Sequence, residues 1–141
     1  MPFIKVYIHI IRTTKNRELL ITKALKPTLL DHIKKNSIDK GIFIDRMNCV
    51  GNHIHVLVSL GVEQTISKTV MLLKGESSFW INKEKLTKTK FEWQEEYAVF
   101  SVKGNDAEKV RNYIERQEEH HQKKTFDMEY DEFINDSINL G

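Results

Sequence analysis

The chain has 141 residues, 40% apolar and 30% charged, with a net charge of +2. That size and composition suit one soluble domain with a real core, and no apolar run approaches the ~18 residues that a membrane span needs. The first residues lack the charged, apolar and small-residue segments of a secretion signal, and the lone Cys49 has no partner for an internal disulfide, so a cytoplasmic protein is expected.

Six glycines and two prolines are scattered without a linker or a repeat, which predicts a single domain over residues 1–141. Residues 3–11, rich in Ile, Val and Tyr, read as a strand. A helix is predicted over 22–40, with Leu25, Leu29, Leu30 and Ile33 along its apolar side and Pro27 near its first turn. Gly41 ends it. Residues 42–50 and 53–60 read as two strands joined by the turn dipeptide Gly51-Asn52, hence a hairpin. A second helix is expected over 65–83, with Ile66, Val70, Leu73 and Trp80 on one side. A polar loop over 85–90 leads to a short fourth strand over 97–102.

Asn105, with Glu108 three residues on, matches a capping box and predicts a helix running to about residue 122. An amphipathic helix over 126–138 closes the chain. The order β-α-β-β-α-β with added helices predicts an α+β fold: a ferredoxin-like, split βαβ antiparallel sheet with helices on one face and extra C-terminal helices. The opposite face is expected to be free for nucleic acid or a second subunit.

Two groups of residues point to chemistry. His53 and His55 lie two apart on a predicted strand, so both imidazoles face one way. That spacing suits two ligands of one metal ion, and equally a polar stripe on an exposed sheet face. Ile54 and Val56 point to the core. On the later helix, Tyr113 and Gln117 are four apart and share a side, while Val110 and Ile114 turn inward. Taken alone this is a boundary tyrosine with an amide neighbour. His120 and His121 come next, either as ligands or as imidazoles favoured by the helix C-terminus. Cys49 reads as a small core residue.

Charge is uneven along the chain. Arg12, Lys15 and Arg17 cluster early, Lys83, Lys85, Lys88 and Lys90 in the middle, and acidic residues after Glu92. The pattern is compatible with a local phosphate-binding face and with ordinary solvated surface. There is no glycine-rich phosphate loop.

Together these motifs resemble a known family: the single-tyrosine HUH transposases of small bacterial insertion sequences (the insertion-sequence-200/605 group), including the REP-associated tyrosine transposases. His53-Ile54-His55 resembles the histidine–hydrophobic–histidine motif. Tyr113-Ile114-Glu115-Arg116-Gln117 resembles the nucleophile helix with its metal-binding glutamine. Trp93-Gln94, Tyr97 and Phe100-Ser101-Val102 resemble the strand before that helix, and His120-His121 with Thr125-Phe126 resemble the segment after it.

The resemblance implies a transposase that cuts and rejoins single-stranded DNA at hairpin-bearing ends through a 5′-phosphotyrosine. Tyr113 is then the nucleophile, and His53, His55 and Gln117 hold a divalent metal. Mg²⁺ prefers carboxylates and Mn²⁺ accepts imidazole more readily, so either is expected. The family also implies a homodimer with shared active sites. Arg12, Lys15 and Arg17 after the first strand, and Lys74 and Ser77 in the second helix, are the candidate DNA contacts, and Trp93 a candidate stacking platform; each has a bland alternative, with Lys74 more often solvated and Trp93 more often a core residue. The rival readings are a non-catalytic ferredoxin-like nucleic-acid-binding module, a decayed or host-retained transposase, and a replication-initiator or relaxase nuclease.

Overall fold

The computed structural model of the chain describes residues 3–119 and 125–139. Strand β1 (Tyr7–Thr13) is followed by helix α1 (Leu25–Asp39), strands β2 (Phe43–Val50) and β3 (His53–Ser59), helix α2 (Ile66–Lys83), strand β4 (Ala98–Val102), helix α3 (Ala107–Glu115) and helix α4 (Phe126–Asn139). The four strands form one antiparallel sheet in the order β2-β3-β1-β4. This is the split βαβ arrangement and an α+β fold, as the sequence pattern predicts. No helix among the described residues is long and apolar enough to cross a membrane.

Alternation divides the sheet into two chemically distinct faces. Ile8, Ile10, Ile54, Val56 and Val58 point to one side, where Leu25, Leu29 and Ile33 of α1 and Val70 and Ile81 of α2 meet them. Phe91 and Trp93 close the same core from the loop before β4. Helix α1 starts where Thr22 Oγ1 accepts from Leu25 N at 3.1 Å, with Pro27 inside the first turn, where no intrahelical donor is lost. Thr65 caps α2, its hydroxyl accepting from Lys68 N at 3.2 Å. The buried line of α2 is Thr69, Val70, Ser77 and Ile81; Ile66, expected on that line, is 42% exposed.

Two expectations are corrected. The second face of the sheet is not free: Tyr7 and Leu57 pack there against Ala107 and Ile114 of α3, and His9 meets Phe133 of α4. The predicted capping box is also absent. A 3-10 turn, Gly104–Asp106, puts Asp106 at the helix entry without a side-chain cap, and Glu108 instead accepts from Arg111 Nη1 at 3.1 Å. Helix α3 is correspondingly short. Arg116 closes it, its N–H donating to Asn112 O at 3.1 Å, so the helix does not run unbroken to residue 122.

Candidate active site

The histidine pair is set by the β2–β3 hairpin. Gly51, at φ 59°, makes the turn that an L side chain would strain. The register then places His53 opposite Val50 and His55 opposite Asn48, and the pleat aims both imidazoles at α3 and α4. Both rings are fully buried. His53 Nδ1 lies 3.0 Å from Asn52 Oδ1, which leaves Nε2 pointing inward, 3.3 Å from Gln117 Oε1. His55 Nδ1 lies 2.9 Å from His9 Nε2, so its Nε2 is also turned inward.

Helix α3 brings the tyrosine to this point, and the chain just beyond its C-cap Arg116 brings Gln117. Asn48 Nδ2 donates to Ile114 O at 2.9 Å. Arg111 grips Asp45 with two bonds of 2.7 and 2.9 Å, and Arg46 Nε donates to Glu115 at 2.8 Å. The Arg111 guanidinium holds the Asp45 carboxyl below its ordinary value. Tyr113 is half-buried, its ring 5.9 Å from that of His55 and edge-on to Phe133 at 5.2 Å. Burial and the neighbouring Glu129, which accepts from its hydroxyl, push the Tyr113 phenol well up, so it is held protonated.

Helix α4 adds a residue that the sequence motifs do not contain. Glu129 is 1% exposed, and its Oε1 lies 2.6 Å from His55 Nε2 and 4.0 Å from His53 Nε2. Ligand atoms of His53, His55 and Glu129 all fall within 4.8 Å of one another. Two neutral imidazoles, an amide oxygen and one carboxylate form a donor set that suits a divalent cation, and the carboxylate makes it fit a hard ion better than the neutral set alone.

A sequence profile described as "Transposase IS200 like" matches residues 3–117. The chain belongs to that family. It is 27% identical over 115 residues to the ISDra2 transposase TnpA of Deinococcus radiodurans, spanning 77% of this chain and 81% of that one. A crystal structure of a protein assigned as a transposase in Deinococcus radiodurans R1 superposes with a TM-score of 0.67 at 21% identity, covering 82% of this chain and 93% of that one. A REP-associated tyrosine transposase bound to a REP hairpin gives 0.64 at 18% identity, covering 86% and 72%. These likenesses share the fold described above. For this IS200-like transposase, the matched span ends at Gln117, so the whole of α4 with Glu129 lies beyond it.

The residues expected to touch DNA separate into two groups. Lys15 and Arg17 are exposed, Lys15 pairing with Glu92 at 3.3 Å and Arg17 with Asp127. Lys74 is half-buried and lines a cavity of about 570 Å³ together with Lys15, Phe79 and Lys90. Arg12 and Ser77 are buried. Arg12 is 6% exposed and donates to the carbonyls of Gln94 (3.1 Å) and Glu95 (2.8 Å), with Tyr97 beneath its guanidinium. Ser77 is buried, accepting from Trp93 Nε1 at 2.8 Å and donating to Leu73 O at 2.7 Å. Trp93 is therefore a core residue and not a stacking platform. Cys49 is buried as expected, its thiol pushed up to about 12 by burial. His120 and His121 lie outside the described residues.

Sequence reasoning missed Glu129, His9 and Asn48. A usable signal existed for Glu129: it shares the stripe of Phe126, Tyr130 and Phe133 on an amphipathic helix, where a carboxylate needs a partner. His9 alternates with Tyr7 and Ile11 and so faces the histidine pair, but only the β1–β3 register reveals it.

Proposed function

We propose that this transposase cuts and rejoins single-stranded DNA at hairpin-bearing ends, with Tyr113 as the nucleophile. The reading is carried by one observation: β3, α3 and α4 converge to put Tyr113, His53, His55, Gln117 and Glu129 around a single buried point. The hairpin-bound relative supports a hairpin substrate. His53, His55, Gln117 and Glu129 are the residues to hold a divalent ion, Mg²⁺ or Mn²⁺. When bound, that ion supplies charge neutralisation at the scissile phosphate and orients its oxygens.

The chain's own residues account for the rest. Tyr113 is a poor nucleophile at neutral pH because its proton is held. The Glu129 carboxylate already accepts from that hydroxyl and is placed to take the proton as attack begins. The tyrosine oxygen bonds to phosphorus, the bond to the 3′ oxygen breaks, and that oxygen leaves as a 3′-OH after protonation by water. The phosphodiester energy stays in the phosphotyrosine, so a second 3′-OH can reverse the step without ATP. Beside Tyr113 a cavity of about 260 Å³, lined by His9, Lys109, Val110, Glu132 and Phe133, gives the strand an approach, with Lys109 available to a phosphate.

A homodimer with shared sites is the family expectation. Gln117 Oε1 lies 3.3 Å from the chain's own His53 Nε2, and a mixture of variants tests whether subunits share the site. The test of the reaction uses a labelled single-stranded hairpin oligonucleotide with Mn²⁺, read as a covalent adduct on a denaturing gel. The parent forms the adduct; Tyr113→Phe, His53→Ala and His55→Ala do not. An adduct that survives Tyr113→Phe overturns the assignment of the nucleophile. A parent that forms no adduct with any hairpin-bearing end supports the non-catalytic binding module instead.

A further inference from the structure

His9 belongs to no motif and is buried at the heart of the site. It sits on β1, in the strand register beside β3, on the same face as His53 and His55. Its Nε2 is 2.9 Å from His55 Nδ1, and Phe133 packs edge-on against its ring at 5.2 Å. His9 is not itself a ligand. The clustered ligand atoms among the described residues belong to His53, His55 and Glu129, and His9 stands on the far side of the His55 ring.

We propose that His9 is a positioning residue, which fixes the ring orientation and the tautomer of His55 so that its Nε2 lone pair faces the cluster. This rests on the metal reading above. Two ring nitrogens 2.9 Å apart share one proton, so one donates and the other accepts. With His55 Nε2 against Glu129 at 2.6 Å, the proton of His55 sits on Nε2, and His55 Nδ1 accepts from His9 Nε2–H. With a cation at Nε2, the His55 proton must sit on Nδ1, and His9 Nε2 must accept. A neutral imidazole can do either by moving its own proton to Nδ1, with no net gain or loss of charge. A lysine or a carboxylate could do only one.

His53 uses a different device for the same purpose. Its Nδ1 faces the side-chain oxygen of Asn52, which can only accept. His53 is thereby locked with its proton on Nδ1 and its lone pair on Nε2, ready for a cation at all times. His55 alone has a convertible partner. Outer partners of metal-binding histidines typically change metal affinity by about 10–100-fold when removed.

The test uses the full chain and Mn²⁺ titrated by calorimetry, with thermal melting in the absence of metal. His9→Phe keeps an aromatic ring of similar size and removes both hydrogen-bonding functions. It should stay folded and bind Mn²⁺ about 10–100-fold more weakly. His9→Gln, whose amide can donate or accept near the same point, should recover most of that loss. Independently of any variant, the long-range proton–nitrogen spectrum of the imidazoles in the Mg²⁺-saturated parent should show His55 protonated on Nδ1 and His9 bare on Nε2. Equal Mn²⁺ affinity in parent and His9→Phe, or a His55 proton still on Nε2 with the cation bound, overturns the role of His9. A parent that takes up no Mn²⁺ or Mg²⁺ overturns the metal reading itself.

Discussion

Asn48 is where the stability of the fold and the geometry of the nucleophile meet. Its Nδ2 donates to Ile114 O at 2.9 Å and more weakly to Glu115 O at 3.4 Å, and its Oδ1 accepts from Cys49 N at 2.9 Å. The carbonyls at a helix C-terminus have no partner within the helix, and these two lie between Tyr113 and Gln117. Asn48→Ala strips a donor from them and an acceptor from Cys49 in a buried setting, which costs about 1–3 kcal/mol. For a domain of this size that is a fall in Tm of roughly 3–10 °C. Loss of the tether also lets α3 shift, and a displacement of about 1 Å at a reacting group can cost a hundredfold in rate. Adduct formation should therefore fall by at least about tenfold under conditions where the variant is still folded. Asn48→Asp sharpens the test. It keeps the acceptor for Cys49 but sets an anion against two carbonyl oxygens, so it should be less stable than Asn48→Ala. Urea unfolding and the gel assay together measure both quantities. An Asn48→Asp variant as stable as the parent, with its adduct yield intact, would show that this tether does not dock α3.

Mixing His55→Ala with Tyr113→Phe asks whether one chain makes the whole site: the mixture should stay inactive, and recovered adduct would mean that subunits exchange the tyrosine helix. Glu129→Gln should weaken Mn²⁺ binding by about tenfold or more, measured by calorimetry, because it removes the one anionic donor; unchanged affinity would remove Glu129 from the ligand set. Asp45 is held below its ordinary value by Arg111, with Arg46 and Lys34 also acting on it. A depressed carboxylate stabilises the fold above its unfolded value near 4 and loses that contribution as pH falls through the folded value. The urea midpoint of the parent should thus fall with acid below about pH 4 more steeply than that of Arg111→Ala; parallel curves would refute the pairing.

How much of this was legible in the sequence depends on the range over which each feature is specified. Local patterns carried the four strands, the hairpin at Gly51-Asn52 and the two long helices, because alternation, helical spacing and a glycine at positive φ are properties of neighbouring residues. The same locality put His53 and His55 on one side of a strand, while Tyr113 and Gln117, expected on one helix, meet across the break at Arg116. Boundaries were less legible. The capping box at Asn105 and Glu108 lost to a 3-10 turn and to Arg111, which already engages Glu108 and Asp45.

Only the tertiary structure decided what the basic and aromatic residues do. Arg12 and Ser77 were expected at the surface, but Arg12 is drawn inside by the carbonyls of Gln94 and Glu95, and Ser77 by the Trp93 indole. A buried donor must be satisfied, and its partners here come from 16 to 83 positions away in the chain. His9 and Glu129 reach the histidine pair across 46 and 74 positions, through β1 pairing with β3 and α4 packing over the sheet. The sequence by itself therefore determined the two faces of each strand and the pairing of tyrosine with glutamine. The fold decided which face is covered and which buried charges meet there, because distance along the chain does not encode proximity in space.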